Sequence, residues 1–239
     1  MYYDLNIQES FDTSDIQELN QTEYEGFCIT RTCDSKTYAN KDKIKKFKNL
    51  TKKIYSKVEI DIETEDYSTF LYTKIPYYDV ISLKISNNTI LKSAVKEWHP
   101  DIITFDFTNP DLKLHKGYIK EGILKNIFYE IPIRDALYDT KTKINWLKNT
   151  NQLLKITKGK NTLFSSNATC FTEIKRPMDI VKLLQSLGIS EDQGHKIIQN
   201  SEECLKTCAF KRYCYRGISN SLEEGQLKRD FIINQFIDI

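Results

Sequence analysis

The stretch Thr140–Gly188, TKTKINWLKNTNQLLKITKGKNTLFSSNATCFTEIKRPMDIVKLLQSLG, decides the fold. Ile144, Leu147 and Leu154 give Thr140 to Ile156 one apolar helical face, and Gly159 stops that helix. Asn161-Thr162-Leu163-Phe164-Ser165-Ser166 then reads as a short strand. Pro177 suits the first turn of a second helix, where its missing N–H costs nothing. Ile180, Val181, Leu183, Leu184 and Leu187 recur at helical spacing, and Gly188 fits the position after the last turn. Helix, short apolar strand, helix is a crossover unit, and such units build parallel sheets.

The same alternation extends toward the N-terminus. Tyr2–Ile7 reads as a first strand, and Ser14 as the cap of a short helix carrying Ile16 and Leu19. Phe27–Thr30, Lys53–Ile62 and Asp79–Ile85 read as strands. Thr89 is expected to cap a helix with Ile90, Leu91, Ala94, Val95 and Trp98 on one face, ended by His99-Pro100. Ile102–Phe107 and Ile127–Ile131 are further strands. Past Gly188, Ser190 and Gln193 form a capping box for a helix through Ile198. Seven strand candidates spread over about 200 residues predict a TIM-barrel-like (β/α) barrel of seven or eight strands. A doubly wound open sheet is the runner-up. The expected division is a barrel domain over 1–200 and a basic C-terminal extension and tail over 201–239.

Across 239 residues, 35 Lys+Arg against 33 Asp+Glu leave +2, and 40% of residues are hydrophobic. That balance excludes a wholly disordered or globally polybasic chain. No apolar run approaches the ~20 residues of a membrane span. The opening residues show no secretory signal. Cys28, Cys33, Cys170, Cys204, Cys208 and Cys214 are therefore expected as reduced thiols in a cytosolic or nuclear compartment. Charge is uneven. Ser35–Lys57 holds nine lysines and one acid, Asp42, a local +8, followed by Glu59, Asp61, Glu63, Glu65 and Asp66.

Barrels place chemistry at the C-terminal ends of their strands. The opening strand Asp4-Leu5-Asn6-Ile7-Gln8 resembles that of the PHP-type metallophosphoesterases, whose Asp-Leu-His-x-His supplies metal ligands. Asn6 and Gln8 stand in place of the two histidines, and an amide oxygen binds transition metals poorly. His99, His115 and His195 belong to no paired ligand motif. Cys204, Cys208 and Cys214 with His195 lack finger or ribbon spacing. No nucleophile elbow, Walker loop or dinucleotide glycine set occurs. Asp4 and Asp106 fall near strand ends, as candidate carboxylates or as satisfied caps. No catalytic residue, bound metal or cofactor is expected on this chain. What remains is basic. Lys158 and Lys160 precede a strand, and Lys175 and Arg176 sit at a helix N-terminus, which favours phosphate. Lys211, Arg212 and Arg216 interleave with Tyr213 and Tyr215, a mixture suited to phosphates and stacked bases. These seven are the candidate RNA-binding residues, against the plainer reading of a solvated charged face.

Several stretches together resemble the thirty-kilodalton protein subunit family of ribonuclease P and RNase MRP. They are Tyr2–Leu5, Tyr78–Ile81, Asp101–Phe105, Leu153–Asn161 running into Leu163–Ala168, Glu173–Ile180 and Leu187–Ser190. The resemblance fades after about Gly217. Lys175-Arg176-Pro177 departs from the family's usual Arg-Ser/Gly-Pro, and Asn167 replaces a common small residue. The resemblance implies a non-catalytic TIM-barrel-like subunit of a nuclear (nucleolar) or, in archaea, cytoplasmic ribonucleoprotein. In such a particle the RNA, with its Mg ions, removes the 5′ leader of precursor tRNA. Implied partners are the RNase P or MRP RNA, precursor tRNA, a small ferredoxin-like subunit and other RNase P proteins, without a membrane. A divergent PHP-type phosphoesterase and a protein-only interaction scaffold remain as alternatives.

Overall fold

The structure is a computed structural model that describes residues 1–34, 47, 50–62, 78–215, 218–219 and 225–233. Seven strands form one sheet: β1 Tyr3–Gln8, β2 Gly26–Asp34, β3 Lys53–Ile62, β4 Val80–Ile85, β5 Ile102–Phe105, β6 Phe128–Pro132 and β7 Thr162–Ser165. They are ordered β1 to β7 in sequence, and every neighbouring pair is parallel. Sequential order excludes the doubly wound alternative, whose strand order reverses.

The ends of the sheet meet. Ile7 bridges Ala168, just past β7; Gln8 N donates to Ala168 O at 2.9 Å and Ala168 N to Asn6 O at 3.3 Å. Below that bridge the buried Asp4 carboxylate accepts from the N–H and hydroxyl of Ser166. β1 is irregular between Asp4 and Ile7, so a side chain replaces ladder bonds there. Asn167 adopts φ 54° in this turn, a conformation that asparagine tolerates. The result is a nearly closed TIM-barrel-like fold.

The helices are α1 Ile16–Leu19, α2 Asn88–Ser93 continuing as a π-helical turn to Trp98, α3 Lys116–Leu124 and α4 Thr140–Thr157. They are followed by α5 Pro177–Ser186, α6 Glu191–Tyr213 and α7 Gln226–Lys228, which continues to Ile233. Asn87, not Thr89, caps α2. The Asn87 Oδ1 accepts from Ile90 N at 2.9 Å, and Thr89 donates its hydroxyl to the same oxygen. α4 ends with Lys158 and Gly159 both at positive φ, 55° and 78°. α6 runs unbroken across residue 200. Cys214–Tyr215 and Ile218–Ser219 pair as a small hairpin.

Strand parity sorts the core. Val58, Ile60, Leu83, Ile103, Tyr129, Ile131 and Phe164 share one parity and pack with the helices; burying each such side chain is worth roughly 1.5–3 kcal/mol. The other parity faces the barrel axis. Its lower residues, Cys28, Tyr55, Val80, Ile102, Phe128 and Leu163, cluster with Cys204, Leu205, Cys208 and Ala209 of α6 and with Leu227, Phe231 and Ile232 of α7. Those two helices therefore close the N-terminal end of the barrel. The remaining residues of this parity are polar and buried: Thr30, Lys57, Glu59, Ser82, Thr104, Glu130 and Ser165. Lys57 is fully buried, and its Nζ lies 2.5 Å from Glu130 Oε2. It is no part of a surface lysine run. Of that run, Lys36, Lys41, Lys43, Lys45, Lys46 and Lys48 lie outside the described residues.

Candidate nucleic-acid interface

The C-terminal rim carries the loop from β7 to α5. A short 3-10 turn, Phe171–Glu173, is tied down by Glu173. Its Oε2 accepts from Thr169 N at 2.6 Å, and its Oε1 from Arg134 Nε at 2.9 Å and from the Tyr138 hydroxyl. Burial pushes the Glu173 carboxyl up, but these donors outweigh it and hold the pKa below the usual carboxylate range. Tyr24 donates its hydroxyl to Lys175 O at 2.7 Å, fixing the backbone that delivers Lys175 and Arg176 to the start of α5. Pro177 occupies the first turn of α5, as its position in the sequence predicts. Lys175 is half-buried and Arg176 exposed. Together with Thr22, Tyr24, Thr172 and Asp179 they line a cleft of about 640 Å³. Asp179 already supplies one negative charge to this helix N-terminus, so a phosphate here would depend on the two cations.

The other candidates lie at the opposite, N-terminal end. Lys158 and Lys160 are exposed on the turn between α4 and β7. The turn is held by Asn200, whose Nδ2 donates to Gly159 O and to Thr162 O, both at 2.9 Å. Lys211 and Arg212 reach the loops below β5 and β6. Arg212 Nη2 lies 3.0 Å from Asp101 Oδ2, and its Nε donates to Tyr78 O at 3.0 Å. Lys211 Nζ sits 3.5 Å from Asp101 Oδ1 and 3.3 Å from Asn126 O. Asp101 is 1% exposed and also accepts from Ile81 N. These two cations therefore clamp the C-terminal end of α6 to the barrel floor. Arg216 lies outside the described residues. The six described candidates form no single patch: two stand on one rim, four on the other.

On β1, Gln8 Nε2 donates to Asn6 Oδ1 at 3.1 Å and to Asn167 Oδ1 at 2.6 Å. The amides satisfy each other. Asp4 is taken up by Ser166 and Asn6 N, with burial pushing its pKa to about 6. This donor set does not fit the metal centre of a PHP-type enzyme. Asp106 accepts from Thr108 N and hydroxyl, a local turn. Among the described residues no three His, Cys, Asp or Glu side chains converge as a metal site. The six cysteines are free thiols; Cys204 and Cys208 are buried among the apolar floor residues. Among the described residues no helix is long and apolar enough to cross a membrane.

Arg134 and Glu173, which organise the C-terminal rim, stand 39 residues apart and carried no sequence signal of their pairing.

A nearly closed seven-stranded parallel barrel, capped at one end by helices and cationic at both rims, defines a TIM-barrel-like scaffold. A family model described as RNase P subunit p30 matches residues 1–213, and the chain belongs to that family. The probable ribonuclease P protein subunit 3 of Schizosaccharomyces pombe is 23% identical over 170 residues, covering 70% of this chain and 72% of that relative. The ribonuclease P protein subunit drpp30 of Dictyostelium discoideum is 24% identical over 255 residues, covering 95% of this chain and 69% of that protein. Protein GAMETOPHYTE DEFECTIVE 1 of Arabidopsis thaliana is 29% identical over 159 residues, 65% of this chain; the match spans only 27% of that relative's length. A chain in a cryo-EM structure of archaeal ribonuclease P with mature tRNA shares the fold, with TM-score 0.69 and 20% identity. The overlap covers 92% of this chain and 98% of that one.

Proposed function

We propose that this chain is a non-catalytic protein subunit of the ribonuclease P ribonucleoprotein, binding and stabilising the catalytic RNA during 5′ leader removal from precursor tRNA. The observation that carries the reading is the family match over residues 1–213. The geometry adds a physical role. Lys175 and Arg176 project at an α-helix N-terminus on one rim, and Lys158 and Lys160 on the other. Cations so placed release counterions from RNA phosphates and lower the repulsion between packed RNA helices. Lys211 and Arg212 contribute less to this, because the one Asp101 carboxylate between them offsets half of their charge. The Mg ions of the reaction belong to the RNA, and the breaking bond is never handed to this chain.

The same reading extends to RNase MRP as a second particle. It also includes a small ferredoxin-like subunit and further RNase P proteins as neighbours, and a nuclear, nucleolar location in a eukaryote or a cytoplasmic one in an archaeon.

The test is pull-down of the native protein followed by sequencing of bound RNA. Enrichment of RNase P RNA, with binding that weakens steeply as salt rises, is the expected result. Recovery without RNA, or salt-independent binding, defeats the proposal.

A further inference from the structure

Tyr138 stands on the C-terminal rim with 71% of its surface exposed. An exposed tyrosine is ordinarily a mobile one, but this ring is fixed from three directions. Its hydroxyl donates to Glu173 Oε1, and Glu173 is buried and held by Arg134 and Thr169. The backbone before it is a 3-10 turn, with Leu137 N donating to Arg134 O at 3.0 Å. The residue after it, Asp139, caps α4 by accepting from Lys141 N and Thr142 N at 2.9 and 3.0 Å. The hydroxyl anchor narrows the ring's freedom and leaves its faces to solvent.

The charges around it point the same way. α4 carries Lys141, Lys143, Lys148 and Lys155 and no acid. Lys141 and Lys143 sit near the helix N-terminus, where the macrodipole disfavours cations. Their placement does nothing for the helix itself. Lys143 and Lys175, with one acid, Asp179, line a groove of about 240 Å³ shared with Leu137, Trp146 and Ile180. The Arg134 guanidinium lies against the carboxylate that holds the ring. An exposed aromatic anchored at its hydroxyl, with Lys141 three residues on and Lys143 and Lys175 lining the groove beside the preceding Leu137, matches one ligand chemistry: an unpaired nucleobase over the ring, with the flanking phosphates on the lysines.

We propose that Tyr138 is a stacking platform for an unpaired RNA base, with Lys141, Lys143 and Lys175 taking the adjoining phosphates. This rests on the RNA-binding reading above and names where a single-stranded segment is held. Every purine or pyrimidine offers a π face, so the site selects for unpaired bases rather than for sequence.

The test compares full-length wild type and variants on two probes, fluorescently labelled single-stranded polyadenylate and a fully paired RNA duplex. Tyr138→Ala is expected to weaken single-strand binding about tenfold to a hundredfold, the range of one lost stack. It should leave duplex affinity and the salt slope unchanged, because no charge is removed. Tyr138→Phe keeps the ring and loses only its anchor, so it should retain most of the affinity and guards against misfolding of the alanine variant. Equal single-strand affinity for wild type and Tyr138→Ala overturns the platform while leaving RNA binding intact. So does an equal loss on both probes, or loss of a co-purifying protein with RNA affinity unchanged. Wild type that binds neither probe nor RNase P RNA defeats the parent reading instead.

Discussion

Both rims of the barrel carry cations, and they use them differently. At the N-terminal rim Lys211 and Arg212 converge on Asp101, a carboxylate with 1% exposure, and seal α6 over the barrel floor. At the C-terminal rim the buried carboxylate, Glu173, is matched by Arg134 and Tyr138, and Lys175 and Arg176 are left to the surface. A basic stretch read along the sequence cannot separate these cases. What separates them is whether a buried acid from elsewhere in the fold meets the cation, since an ion pair out of water is structural whereas an exposed one contributes little to stability.

The contrast breaks most visibly if Arg212 is removed. Arg212→Ala removes the nearer of the two cations on the buried Asp101 carboxylate, and should destabilise the protein by about 2–4 kcal/mol. Urea unfolding measures this. A loss below about 0.5 kcal/mol, the range of an ordinary surface substitution, would place Arg212 with the surface cations instead.

The complementary substitution pair lies on the other rim. Lys175→Ala with Arg176→Ala should leave the urea midpoint nearly unchanged. Under the proposed function it should reduce the slope of log affinity for RNA against log salt by about 1.4–1.8, roughly 0.7–0.9 per lost phosphate contact. An unchanged slope removes both residues from the interface.

Between the rims lies a buried polar layer whose response to pH differs from both. Burial pushes the Glu59 carboxyl up to about 7; Lys57 and Lys84 pull it down, while Glu130 and Asp61 push it further up. Lys57 itself is held above the ordinary lysine value, because Glu130 and Glu59 outweigh its burial. A carboxyl raised in the folded state binds more protons folded than unfolded, so stability falls as pH rises between the two values. For Glu59 that window runs from the ordinary 4.5 to about 7, and Asp4, raised to about 6, adds to its lower part. The urea midpoint should therefore fall between pH 5 and 7.5. Glu59→Gln should flatten the upper half of that fall. A wild-type midpoint that rises over this range shows that other groups dominate.

Much of the fold was legible because it rests on local pattern. The two-residue alternation in Lys53–Ile62 and the Pro177–Gly188 punctuation are written in neighbouring residues, and both elements form as expected. The family was legible too, through the order of several short stretches. What could not be read depended on partners far along the chain. Lys57 reads as the last lysine of the Ser35–Lys57 run, and strand parity turns it into the barrel, where it meets Glu130, 73 residues away. Arg212 reads as a candidate RNA-binding residue, and its ion pair with Asp101, 111 residues before it, has no local signal. Asn87 displaced Thr89 as the cap of α2 for a nearer reason: both are capping residue types, and the asparagine oxygen reaches the Ile90 N–H.

The smallest expected effect divides the N-terminal rim itself. Lys158 holds φ 55° at the end of α4, a left-handed conformation that costs a side chain with a Cβ and is free for glycine. Lys158→Gly relieves that strain but enlarges the freedom of the unfolded chain, so a net gain of about 0.5 kcal/mol is expected. Its neighbour Gly159 does not share this tolerance, because a Cβ there would lie 2.8 Å from Ile197. Under the proposed function Lys158 acts through its charge. The RNA salt slope should therefore fall by about 0.7–0.9 in Lys158→Gly as stability rises. If stability rises and the slope stays, the cations of this rim serve the fold alone, and the RNA-facing charge belongs to the C-terminal rim.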